Sequence, residues 1–133
     1  MATIKRFEDL EVWQKARLLE NKIFQIIQSG PFSKDFSSKN QMNRSVSSIM
    51  DNIAEGFGRG SRLEFIQFLT ISRGSGAELQ SQLYRSLDRK YINQLQFEEL
   101  YSYTDNVCKM LTGFIAYLNK SPIKGQKFKT RGK

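Results

Sequence analysis

Asp51 and Glu55 stand one helical turn apart, a spacing that sets two carboxylates on one helix face where acid–base catalysis or a metal ion could use them. The rest of that chemistry is missing. The chain has no histidine and one cysteine, Cys108. That removes the commonest general base, the commonest metal ligand and every Cys/His or Ser/His nucleophile pair. Carboxylate-only sites stay formally open, but no further ligands accompany the pair. The expectation is a non-enzyme without metal or cofactor. In it Glu55 pairs with Arg44, Arg59 or Arg62, and Asn52 caps or bridges neighbouring backbone.

The next candidate for chemistry is the glycine corner Gly56-Phe57-Gly58-Arg59-Gly60-Ser61. It has neither the GK[ST] ending of a phosphate loop nor the GxGxxG spacing, and it follows a helical pattern where both motifs need a strand. What survives is looser. The start of the next helix, flanked by Arg59 and Arg62, could hold an RNA phosphate; a plain turn with solvated arginines is the blander reading. In that turn Gly56 is expected to take the left-handed position after a helix end, with Gly58 and Gly60 freeing the reversal.

Charge is the third candidate. The net charge is +8, and residues 120–133 carry Lys120, Lys124, Lys127, Lys129, Arg131 and Lys133 with no acid, leaving +2 for the rest. Such a tail attracts RNA, DNA or anionic surfaces without choosing among them, and it also suits a flexible solubilising end. Over residues 40–90, Arg44, Arg59, Arg62, Arg73, Arg85, Arg89 and Lys90 face five acids. Arginine is the better phosphate fork; salt bridges between subunits are the alternative use, and helical periodicity does not choose between them.

The elements that must position these residues are helical. Val12, Ala16, Leu19, Ile23 and Ile26 recur at helical spacing, with Trp13 as a core residue, and Ser29-Gly30-Pro31 stops the pattern. Phe32 and Phe36 follow in a connection, expected to tuck against the bundle. Ser38 with Gln41 reads as a capping box for a second helix, whose stripe is Met42, Val46, Ile49 and Ile53 and whose other positions are small and polar. Ser61 with Glu64 caps a third, carried by Leu63, Ile66, Leu69, Ala77, Leu79, Leu83 and Leu87. Gly74 and Gly76 lie in its interior, where close approach by a neighbouring helix would offset their cost of about 1 kcal/mol each. Asn93 with Gln96 opens a fourth along Phe97, Leu100, Thr104, Val107, Leu111, Phe114 and Leu118. Beside it Tyr103, Met110 and Tyr117 form a second apolar line, read as an oligomer contact.

Four helices over about 9–28, 38–55, 62–89 and 96–119 predict one all-α domain, an antiparallel up-down four-helix bundle over residues 1–119 followed by a basic, flexible tail over 120–133. No apolar run reaches the ~20 residues of a membrane span, and the first residues lack an apolar signal core, so the expectation is a cytoplasmic protein with no membrane role.

Taken together, the chain resembles the four-helix bundle proteins encoded in intervening sequences of bacterial 23S rRNA genes, a family once labelled ribosomal. The resemblance spans residues 7–118. It rests on Phe7-Glu8-Asp9-Leu10-Glu11-Val12-Trp13-Gln14-Lys15-Ala16, Gln41 to Arg44, Ser48-Ile49, Asn52-Ile53-Ala54-Glu55-Gly56-Phe57-Gly58-Arg59, Glu64-Phe65, Phe68-Leu69, Arg73-Gly74-Ser75 and Glu78-Leu79. It implies a ring-like homopentamer. Similar proteins accompany the reverse transcriptases of diversity-generating retroelements, where the basic pentamer engages enzyme and template RNA; for most members the role is unknown. The chain departs from the family pattern at Pro31-Phe32, Asn43 and Met50-Asp51. The leading expectation is a non-catalytic oligomeric bundle binding RNA or an RNA–protein complex. The competing one is a structural or protein-interaction module without nucleic-acid binding.

Overall fold

Leu10 separates two elements at the start of the chain. Its extended backbone (φ −77°, ψ 124°) sets a 3-10 turn over Phe7–Asp9 apart from helix α1, Glu11–Ile27. The helix therefore begins two residues later than the expected start near residue 9, and Gln14 Nε2 donates to the Glu8 carbonyl at 2.8 Å to tie the turn down. In this computed structural model, which describes residues 4–120, a 3-10 turn at Gly30–Lys34 leads to α2 (Phe36–Gly58), α3 (Arg62–Asp88) and α4 (Gln94–Lys120). Each helix packs on its chain neighbours and α4 returns to α1, closing an all-α four-helix bundle. The expected stripes of α1, α2 and α4 are buried almost residue for residue, Trp13 included.

Helix α2 departs from its expected bounds at both ends. Its cap is Asp35, not Ser38: Asp35 Oδ1 accepts from the Ser38 backbone N–H at 3.1 Å, and the Ser38 hydroxyl donates to Oδ2 at 3.0 Å. Aspartate caps as well as serine does, so the helix starts earlier and Ser38 becomes its third residue. Phe32 is fully buried as expected. Phe36, now the first helical residue, points outward and is 72% exposed. At the other end the helix runs through Gly56 and Gly58, and the left-handed residue is Gly60 (φ 77°). Gly56 is there for space: a β-carbon on it would lie 2.6 Å from Phe68 Cβ and 2.9 Å from Phe65 Cδ1. Ser61 then accepts from the Glu64 N–H at 3.4 Å, and Glu64 turns back to Arg59 instead of completing the capping box.

The small, polar side of α2 is spent on α3, the most extensive pairing in the bundle. Ser48 and Ser75 hydroxyls meet at 2.7 Å, Ser72 donates to the Ile49 carbonyl at 2.7 Å, and Ser86 reaches Met42 Sδ. The core line of α3 accordingly runs Phe65, Leu69, Ser72, Gly76, Leu79, Leu83 and Ser86, whereas Leu63 and Ala77 are exposed. The helix passes Gly74 unbroken and in open space; the close approach is at Gly76, whose missing β-carbon leaves room for Cys108 Sγ on α4.

The α3–α4 turn is a Schellman motif. Tyr91 N–H donates to the Ser86 carbonyl and Lys90 N–H to the Leu87 carbonyl, with Lys90 at φ 62° in the position usually filled by glycine. A side chain there costs about 1 kcal/mol. Asn93 and Gln96 then exchange both bonds of a complete capping box, at 2.8 and 2.9 Å.

Asp35 joins these two ends of the chain. Besides Ser38 it accepts from Tyr91 Oη at 2.8 Å, and Arg89 Nη1 stands 3.5 Å away. The Ser38 N–H, then Tyr91 and Ser38 hydroxyls, hold its carboxyl below the usual aspartate value. A depressed folded pKa stabilises above the ordinary range and is lost as pH falls through the folded value. Asp35→Asn is therefore expected to flatten the acid limb of stability below about pH 4. Thermal melts of the two proteins compared at neutral and acid pH check it: the gap between them should close in acid.

Candidate nucleic-acid interface

The four arginines singled out by sequence do not converge on one patch. Arg59, at the end of α2, lies 5.1 Å over the Phe68 ring and 3.5 Å from Glu64 Oε1, still half exposed. Glu55 is thus not its partner; the acid that reaches Arg59 is one helix further on. Arg62 is 8% exposed, and its Nη1 donates to the Leu118 carbonyl at 3.0 Å. It satisfies a carbonyl in the last turn of α4, where the chain direction leaves carbonyls orphaned. That removes Arg62 from any phosphate-facing set. Arg73 lies partly buried on the α4 side of α3, donating to Thr112 Oγ1 at 3.3 Å. Arg44 is exposed on α2. Lys124, Lys127, Lys129 and Arg131 lie outside the described residues.

Of the motif residues, Asn52, Gly56 and Ser75 lie in the α2–α3 seam, whereas Gly58 and Gly74 stand in open space. Asn52 Nδ2 donates to both the Ser48 carbonyl (2.8 Å) and the Ser48 hydroxyl (2.9 Å), and Ser48 in turn meets Ser75. The bridge joins α2 to α3 at mid-length. Asn52, Ser48 and Ser75 serve it directly, and Gly56 serves the same seam by steric fit.

Carboxylates come together where sequence spacing gave no hint. Glu20 of α1 faces Asp51 of α2, and its pKa is raised by burial first and by the Asp51 charge second, against a hydrogen bond with Ser47. The pairing crosses helices, so no one-dimensional pattern shows it. Among the described residues no group of three Asp, Glu or Cys side chains is placed to hold a metal ion, and no helix is long and apolar enough to cross a membrane.

On the second line of α4, Tyr103 and Met110 are partly buried against the core, with Lys22 Nζ 5.5 Å above the Tyr103 ring. Tyr117 is about half exposed, its ring 6.4 Å from that of Phe114. Larger apolar exposure lies on the outer faces of α1 (Leu18, Phe24) and α3 (Leu63, Ile71).

Among curated proteins none matches the chain. A crystal structure of a protein with unknown function from the S23 ribosomal protein family of Bacteroides thetaiotaomicron is similar, with a TM-score of 0.72 and 26% identity over 78% of this chain and 97% of that one. The sequence pattern of the 23S rRNA-intervening sequence proteins matches residues 8–113. That stretch takes in the Trp13 helix, the Asn52–Ser48–Ser75 bridge and most of α4, and on it the chain belongs to the 23S rRNA-intervening sequence protein family.

Proposed function

We propose that the chain is a non-catalytic, cytoplasmic, oligomeric bundle, with the family-implied pentamer as its closed form, that binds RNA through exposed arginines and its lysine-rich tail. The observation that carries this reading is the uneven charge: +6 of the net +8 falls within residues 120–133, beside a nearly balanced body. Exposed Arg44 and half-exposed Arg59 add to it, and the family's description connects its members with rRNA genes. Binding of this kind releases counterions and weakens with salt. Nuclease-treated protein is expected to bind RNA at about 50 mM salt and to lose on the order of a hundredfold in affinity by about 200 mM. No binding at low salt would defeat the reading.

The competing structural-module reading draws on Leu18, Phe24, Leu63 and Ile71, four large apolar side chains about half exposed on outer helix faces. Such surface suits contact with other chains. Light scattering separates assembly from RNA binding: a mass several times 15.4 kDa at micromolar concentration supports the oligomer, and a monomer mass rejects it.

A further inference from the structure

The end of the bundle opposite the glycine corner carries an exposed aromatic ring among cations. Phe36 is 72% exposed at the start of α2, and Lys39 Nζ stands 5.8 Å over its ring. Phe36 borders an open groove with Pro31, Lys34, Asp35 and Tyr91. The groove is rigidly built. Tyr91 packs on buried Phe32 at 5.1 Å and is tied through its hydroxyl to Asp35. Asp35 in turn has its charge met by Ser38 and Arg89. Residues 30–39 and 85–91 hold five cations, Lys34, Lys39, Arg85, Arg89 and Lys90, against Asp35 and Asp88.

A further cation lies at the same end of the bundle, in the turn that closes α3. Lys90, next in the chain to Tyr91, holds a left-handed conformation (φ 62°) that glycine would adopt without strain.

We propose that this groove is a stacking site for single-stranded RNA: Phe36 takes the face of an unpaired base, and Lys34, Lys39 and Lys90 take the flanking phosphates. Aromatic platforms flanked by cations bind single strands in this way, because every base offers a π-face and every linkage a charge. Charge complementarity argues for a polyanion as occupant. The exposed ring argues for unpaired bases, since a duplex keeps its base faces stacked. The proposal rests on the RNA-binding reading above and adds the place and the strand type.

The test uses the full chain and a short labelled single-stranded oligoadenylate, read by fluorescence anisotropy. Phe36→Ala is expected to weaken binding about tenfold, Phe36→Tyr to retain it, and a duplex probe to be indifferent to both. Lys90→Gly is expected to raise Tm by about 3 °C while lowering the salt slope by about 0.7. A merely structural Lys90 would give the first change without the second. If the wild type binds the strand but Phe36→Ala and Lys90→Gly bind as well as it does, this site is wrong and the general reading stands. If the wild type binds no RNA at low salt, both are wrong. Equal loss on the duplex would reject stacking.

Discussion

Phe65→Ala is expected to destabilise the bundle by about 4 kcal/mol. Phe65 is 1% exposed and stands edge-on to Phe57 at 5.9 Å and to Phe114 at 5.2 Å, joining α2, α3 and α4 just past the corner. Truncation removes a ring from water-free packing and opens a cavity that three helices cannot close without shifting. It also forfeits two edge-to-face pairs, each worth about 0.5–1.5 kcal/mol beyond burial. Against a typical domain stability of about 5–15 kcal/mol this is a large share. Urea unfolding checks it: the midpoint should fall with the slope unchanged. A loss under about 1 kcal/mol would mean that the corner is not packed as described.

The second large effect is a difference of sign. Gly56→Ala is expected to cost about 2 kcal/mol even though alanine is the better helix former by about 1 kcal/mol. Its new methyl would meet Phe68 Cβ, an atom fixed to the α3 backbone that cannot swing aside. Gly74→Ala adds the same methyl on the neighbouring helix, where nothing lies within 4 Å, and is expected to stabilise by about 1 kcal/mol. Paired thermal melts read both. If the two variants move in the same direction, the close α2–α3 approach at Gly56 is wrong.

These two glycines also show what could be read in the sequence and what could not. Helix number, order and approximate bounds follow from apolar periodicity, because α1, α2 and α4 bury stripes of aliphatic residues. The α3 stripe was legible only in part. Its centre buries Ser72 and Gly76, so the buried face carries little hydrophobic signal, and Leu63, at helical spacing from that face, points outward. Glycines read as a turn at Gly56 proved to be a steric fit, since composition does not distinguish a residue chosen for φ from one chosen for size. Phe36 lies outside the core because Asp35, three residues before Ser38, caps α2, and a run with both aspartate and serine does not show which of them caps. Arg62 looked like a surface cation, and only the fold brings it to Leu118, 56 positions away in the chain. The Glu20–Asp51 pairing lies between helices and has no signature along either.

The structure therefore changes what the RNA reading relies on. Arg62 is committed to α4 and Arg73 to Thr112, while Arg59 shares its charge with Glu64. Of the cations proposed for RNA, exposed Arg44, half-exposed Arg59, the tail and the end of the bundle around Phe36 are left for a polyanion. A basic tail beside a nearly neutral body makes a quantitative demand. For single strands the slope of log affinity against log salt is about −0.7 per phosphate neutralised, so replacing Lys124, Lys127, Lys129 and Arg131 together by glutamine in the full chain should flatten that slope by up to about 3 units. The measurement that bears most directly on the central claim is this pair of salt titrations on single-stranded RNA. A steep slope in the wild type that becomes shallow in the fourfold variant is the predicted result. A wild type that binds no RNA, or a slope unmoved by the loss of four tail cations, would contradict the account.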